Sequence, residues 1–537
     1  MKKFIFIGLC LISTILFSQE KEKLQTGKFE PTWKSLEQYQ IPDWFCDAKF
    51  GIWAHWGPQC QPEQGDWYAR FMYAEGSRQY KWHVKHYGHP SEFGFKDVIH
   101  EWKAEKWDPE KLVKLYKKAG AKYFFAMGNH HDNLDLWNSK YQEWNSVDVG
   151  PHKDILSGWA KAARKNGLPF GVSIHSAHAW LWYETAQQAD TTGEHAGIPY
   201  DGKLTREDGK GKWWEGLDPQ KLYVQNHPLS RNYKNIYAIH SQWDWDNGAT
   251  PPSAEYCLNF YNRTVDMINQ FHPDLIYFDD TALPLWPVSN AGLEIAAHYY
   301  NTNMLQHKGE LQAVLFGKIL TDEQKKCMVW DVERGAPDSI QKIPWQSCTC
   351  IGNWHYDRSV YEHDKYKSAK TVIQMLVDIV SKNGNMLLNI PIRGNGTIDD
   401  KELHVLDGIT KWMKTNSECI YATRPWFIYG EGPNAESVNP LKAQGFNESR
   451  GKAYTSTDIR FTQKGEVLYA IIMDYPKDKE IIIKSLSSNS SYYNPKFRKV
   501  KMLGGKIVSY KFDCNGLKIT LPESSTPTGM PVVLKIY

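Results

Sequence analysis

The stretch Asp108–His131, DPEKLVKLYKKAGAKYFFAMGNHH, holds one complete structural unit. Asp108 suits a helix N-cap and Pro109 the first helical position. Leu112, Val113, Leu115 and Tyr116 fall on one helical face, and Gly120 stops the helix. Tyr123-Phe124-Phe125-Ala126-Met127 then runs apolar without alternation, as a strand buried on both faces does. The unit recurs. Residues 154–166 stop at Gly167 and lead into Phe170-Gly171-Val172-Ser173-Ile174; residues 255–271 lead into Leu275-Ile276-Tyr277-Phe278. Residues 368–382 lead through Gly384 into Met386-Leu387-Leu388-Asn389-Ile390. Helices alternating with buried strands predict a parallel sheet, and a span of about 370 residues suits a (β/α)8-like TIM barrel better than an open sheet. No Gly-rich phosphate fingerprint follows the first strand.

In such barrels the C-terminal strand ends carry the chemistry. Ile52-Trp53-Ala54 runs into His55-Trp56-Gly57, and the second strand into Asn129-His130-His131-Asp132. The third ends in His175-Ser176-Ala177-His178 and the fourth in Asp279-Asp280. Val329-Trp330 meets Asp331, Glu333 and Arg334, and the last strand carries Asn389. Residues 184–254 form a long polar insertion containing Trp213, Trp214, Trp243 and Trp245, which predicts a substrate-binding loop.

Beyond Ile420 the helical period gives way to short alternating strands at 458–461, 467–472, 481–483, 508–512 and 532–536. That texture predicts a C-terminal antiparallel β-sandwich. The expected division is a signal peptide over 1–18, a catalytic barrel over 19–412 and a sandwich over 413–537.

Met1-Lys2-Lys3 followed by apolar residues 4–17 is too short to span a bilayer and reads as a cleaved secretory signal. The expectation is an exported protein, periplasmic or secreted, with no membrane span. Lys+Arg total 64 against 61 Asp+Glu, a net charge of +3, which argues against a nucleic-acid groove. Nine cysteines in 537 residues are too sparse for a disulfide scaffold, and Cys348-x-Cys350 lacks zinc-knuckle spacing. The chain holds 23 Trp, 30 Tyr and 21 Phe, an aromatic content suited to handling sugars or filling a bulky core.

Two carboxylates flanking a bond are the minimum for glycoside hydrolysis. Asp279, on a rigid apolar strand, is the leading nucleophile; its competing role is a helix cap or turn. Neighbouring His130 and His131 cannot easily aim at one ion, so hydrogen bonding to sugar hydroxyls is preferred and no metal is expected.

Phe50-Gly51-Ile52-Trp53-Ala54-His55-Trp56-Gly57-Pro58, followed by Asp66-Trp67-Tyr68-Ala69-Arg70-Phe71-Met72, resembles the first signature of the α-L-fucosidases of glycoside hydrolase family 29. Residues 120–132 and 136–141, Leu275-Ile276-Tyr277-Phe278-Asp279, residues 385–390 with 396–398, and residues 421–426 with 429–433 are similar to further family segments, in family order. The resemblance implies a retaining, exo-acting enzyme that needs no cofactor and releases α-L-fucose from a fucosylated oligosaccharide or polysaccharide. It implies Asp279 as nucleophile and His55, Trp67, His130 and His131 as fucose contacts. Glu333 is the chosen acid/base, with Glu294 and Glu310 in reserve. Arg334 either binds sugar or positions Glu333, and a structural Glu333–Arg334 ion pair is the competing reading. His175 stands where many relatives carry a tyrosine-rich stretch. Two alternatives stay open: a hydrolase of α-L-galactosides or fucose-bearing polysaccharide, and a catalytically silent sugar-binding protein.

Overall fold

The computed structural model describes residues 19–237, 245, 248–437, 439–441, 445–448, 451–492, 499–505, 507–522 and 529–537. The expected leader at 1–18 and Trp243 lie outside these residues.

Eight parallel strands close into a barrel: β1 (Phe50–Ala54), β2 (Tyr123–Asn129), β3 (Phe170–Ile174), β4 (Leu275–Thr281), β5 (Val314–Lys318), β6 (Val329–Glu333), β7 (Trp345–Cys350) and β8 (Gly384–Asn389). Each pairs with its neighbour in sequence, and β8 pairs back with β1. Helices Pro109–Lys118, Ile155–Lys165, Ala254–Phe271 and Ala369–Ser381 intervene as the sequence pattern predicts, and a further helix, Ala291–Gln306, stands before β5. The Asp108 and Asp154 side chains cap the first two, accepting from Lys111 N and Ser157 N. Between β5 and β6 there is a 3-10 turn at Gln324–Lys326, and β6 runs to β7 through irregular chain. The helix–strand alternation lapses there, so β7 has no helical signature before it.

The barrel interior is aromatic. Alternate residues of a strand share a face, and Trp53, Phe125, Tyr277 and Phe316 meet inside: Trp53 with Tyr277 at 5.0 Å between ring centres, Phe125 with Phe316 at 5.8 Å. Gly171 makes room for this layer, because a Cβ there would lie 2.7 Å from the Phe125 ring. Part of the aromatic surplus is therefore floor beneath the strand ends.

Helix Asp400–Asn416 runs through the expected 412/413 division, and the first strand beyond it is β9 (Arg424–Glu431). With β10 (Ile459–Lys464), β11 (Val467–Ile472), β12 (Glu480–Ile483), β13 (Val500–Met502), β14 (Ser509–Asp513), β15 (Gly516–Thr520) and β16 (Val532–Ile536), it forms two antiparallel sheets, ordered β13-β16-β11-β10-β9 and β12-β15-β14. Trp426, Phe461, Ile483, Leu517 and Leu534 are buried in their shared core. Among the described residues no helix is long and apolar enough to cross a membrane, and all eight described cysteines are free thiols.

Candidate active site

The chemistry gathers at the C-terminal ends of three successive strands. Asp279 lies in β4, Lys318 ends β5 and Glu333 ends β6. Tyr277 and Asp279 share a face, so the tyrosine joins the floor while the carboxylate faces the mouth. The β4–β5 register shifts between Tyr277 and Thr281, an irregularity of the kind that re-aims side chains beside active sites.

Lys318 Nζ donates to Asp279 Oδ1 at 2.5 Å and to Glu333 Oε2 at 2.6 Å. Asp279 Oδ2 meets His175 Nδ1 at 3.1 Å and His131 Nε2 at 3.2 Å. Burial alone would raise the Asp279 carboxyl; the Lys318 ammonium and the two histidine contacts hold it well below the usual carboxylate range. Its neighbour Asp280 points the other way. It is buried, accepts from Thr281 N and Leu285 N, and burial pushes its carboxyl up to about 8.

Six histidines line the cavity above the floor: His55, His130, His131, His175, His178 and His355. Burial drives His175 down to about 4 and His55 and His130 well below the ordinary imidazole value, so these three are neutral at neutral pH. Gln59 Nε2 lies 2.7 Å from His130 Nδ1, fixing that ring. His131 Nδ1 lies 2.9 Å from the His175 carbonyl. Both nitrogens of His55 and Nε2 of His175 are buried without a hydrogen-bond partner. Such orphans are rare in folded proteins and call for an explanation. Adjacent histidines do address one region here: nitrogens of His130, His131 and His175 lie within 4.8 Å of one another, as do those of His55, His130 and His355. The expectation that His130 and His131 cannot easily aim at one ion is thereby corrected. Sequence neighbours at a strand end leave the pleat, and His131 turns toward Asp279.

All eight residues singled out from sequence (His55, Trp67, His130, His131, His175, Asp279, Glu333 and Arg334) line one cavity. Arg334 and Glu333 do not pair with each other. Arg334 Nε binds Glu448 at 2.9 Å, while Glu333 faces Lys318. Of the reserves, Glu294 pairs with Lys21 and Glu310 is exposed past the end of its helix; neither lines the cavity. The reading of Trp213 and Trp214 as substrate-binding is also corrected. Trp213 donates to Asp97 at 2.7 Å and stacks on His100, and Trp214 is buried. Helix Phe95–Glu101 gives Trp213 those partners, and neither ring reaches the cavity. Among the described residues of the insertion, Tyr237 lines the cavity.

Sequence reasoning missed Asp66, Lys318, Trp354, His355 and Phe446. Asp66 stood in a quoted segment, and Lys318 closes the apolar run Val314-Leu315-Phe316-Gly317. Phe446 had no local signal.

A parallel barrel with paired carboxylates and orphaned imidazoles at its strand ends defines a barrel glycosidase. The family profile described as alpha-L-fucosidase matches residues 16–418, and that of the alpha-L-fucosidase C-terminal domain matches 452–537. The chain belongs to the α-L-fucosidase family, glycoside hydrolase family 29, and is a glycoside hydrolase. It is 26% identical to the human tissue alpha-L-fucosidase, with 98% of this chain and 95% of that protein covered, and 25% identical to the Rattus norvegicus protein, with 96% and 94% covered. Among solved structures, Thermotoga maritima alpha-fucosidase in complex with a mechanism based inhibitor matches with a TM-score of 0.67 at 25% identity, covering 95% of this chain and 99% of that one. The Paenibacillus thiaminolyticus isoenzyme 1 shares the fold, with a TM-score of 0.59 at 19% identity over 93% of this chain and 99% of that one.

Proposed function

We propose that the chain is an exo-acting retaining α-L-fucosidase that releases fucose from glycans by double displacement. Asp279 attacks the anomeric carbon while Glu333 protonates the departing glycosidic oxygen, and Glu333 then takes a proton from the water that releases fucose. The observation that supports this reading is the single ammonium between the two carboxylates. Contacts of 2.5 and 2.6 Å to one nitrogen keep the two oxygens no more than about 5.1 Å apart, which suits the close-set carboxyls of retaining enzymes (roughly 5–5.5 Å) and falls short of the roughly 6.5–9.5 Å of inverting ones. The depressed Asp279 carboxyl stays ionised, as a nucleophile must. The unpartnered Nε2 of His175 is an acceptor for a sugar hydroxyl, the two unpartnered nitrogens of neutral His55 offer one donor and one acceptor, and Trp67 offers an apolar face.

The test follows hydrolysis of an aryl α-L-fucoside by proton NMR. The first product expected is α-L-fucose, and Asp279→Asn should lower turnover by on the order of a thousandfold or more. Initial β-L-fucose, or a fully active variant, overturns the reading. An α-L-galactoside in the same assay decides whether the site also takes a hydroxyl at carbon 6.

One observation favours a second acid. Asp66 also lines the cavity, with its side chain 28% exposed, and accepts from His355 N at 2.7 Å, whereas Glu333 is held against an ammonium. We further read residues 1–18 as an export signal, tested by N-terminal sequencing of the protein produced in its host.

A further inference from the structure

We infer that Phe446 is the aglycone platform of the site: the exposed aromatic face against which the sugar next to fucose packs. The inference rests on the fucosidase reading above. Phe446 belongs to the chain beyond the barrel, yet it lines the same cavity as Asp279 and Glu333. Its placement is built, not incidental. Gly445 forms a parallel bridge with Glu333, and Phe446 N donates to Glu333 O at 2.8 Å. Gly445 has φ +129°, and a Cβ there would lie 2.1 Å from Glu333 O, so only glycine lets the segment approach so closely.

The next residues lock the segment down. The Asn447 side chain accepts from Ala336 N and donates to Ala336 O, both at 3.0 Å. Glu448 N donates to Arg334 O at 3.1 Å, and the Glu448 carboxylate binds Arg334, Thr349 and Lys367.

On this fixed backbone Phe446 departs from what folding alone prefers. Its φ is +49°, a left-handed conformation that is an outlier for a bulky residue. The residue is left 44% exposed. Strain held by a well-anchored surround, with an apolar ring turned to solvent at a pocket, points to function. The chemistry fixes which part of the substrate is involved. The group that protonates the leaving oxygen lies beside the aglycone, and Phe446 is hydrogen-bonded to that group's own backbone. A phenyl ring offers no hydrogen bond, so the occupant is the C–H face of a pyranose.

The test compares α-L-fucosyl fluoride, whose leaving group fills no aglycone site, with a fucosylated trisaccharide. Phe446→Ala should leave kcat/KM for the fluoride within about twofold and lower that for the trisaccharide by about fivefold to tenfold, the range of one lost aromatic contact. Phe446→Tyr should restore the trisaccharide. Should Phe446→Ala not fold, Phe446→Leu, which keeps bulk without a π face, carries the same comparison. Equal effects on both substrates, or none on either, overturn the platform while leaving the fucosidase reading intact. Wild-type protein that cleaves neither substrate overturns that reading, and the platform falls with it.

Discussion

Lys318 Nζ lies 2.5 Å from Asp279 Oδ1, and that side chain is almost wholly withdrawn from solvent. An ammonium buried so completely persists because the carboxylates answer its charge. The dependence is mutual. Without Lys318, burial would dominate at Asp279 and its carboxyl would rise. Since the nucleophile acts ionised, Lys318→Met should move the acidic limb of kcat/KM to higher pH and lower the plateau by about a hundredfold or more. The pH–rate profiles of the two proteins check this; limbs that coincide would remove the electrostatic role.

Glu333 and Asp66 separate by their dependence on the leaving group. Fluoride departs without a proton, whereas an alkyl aglycone needs one. Glu333→Ala should retain fluoride turnover within about tenfold, lose at least about a hundredfold on the trisaccharide, and regain activity on an activated aryl fucoside when azide is added. Asp66→Ala should slow both substrates alike if Asp66 only binds sugar. The opposite pattern assigns the acid to Asp66.

Asp280 predicts how stability varies with pH. Its folded carboxyl is raised to about 8 by burial, against about 3.9 in an unfolded chain. The folded state therefore binds this proton more tightly. The contribution is fully present below about pH 4 and is lost as pH rises through about 8. Asp280→Asn removes the titration, so the fall in its thermal midpoint between pH 5 and pH 8 should be shallower than in the wild type. Parallel curves would show that Asp280 titrates normally.

What was legible in the sequence follows from how local each signal is. Strands such as Tyr123–Asn129 announced themselves because parallel strands buried on both faces are continuous apolar runs, and His55, His130, His131, His175, Asp279 and Glu333 at their ends fell into one cavity. Lys318 was hidden because its run is short. Strand β7 was hidden because no helix precedes it. The Glu333–Lys318 and Arg334–Glu448 pairs could not be read at all. Glu333 and Arg334 are chain neighbours of opposite charge, and only the closed barrel shows that Lys318 stands between Glu333 and Asp279. Arg334 is drawn away by a residue 114 positions along the chain.

That distant partner supplies the last prediction. Glu448 collects Arg334 at 2.9 Å, Lys367 at 3.0 Å and Thr349 at 2.7 Å, with its carboxylate mostly buried. Burial would raise its carboxyl, but Lys367 and Arg334 hold it below the usual range. Removing it strands two cations and loosens the segment that carries Phe446. Glu448→Ala should cost about 1–3 kcal/mol in stability. In a double-mutant cycle with Arg334→Ala the losses should fall short of additivity by about 0.5–2 kcal/mol. A structural clamp alone would stop there. A clamp that also positions Phe446 should lower trisaccharide kcat/KM in Glu448→Ala while sparing α-L-fucosyl fluoride, as Phe446→Ala does. Additive stabilities with unchanged selectivity would leave Glu448 a buried charge without influence on the site.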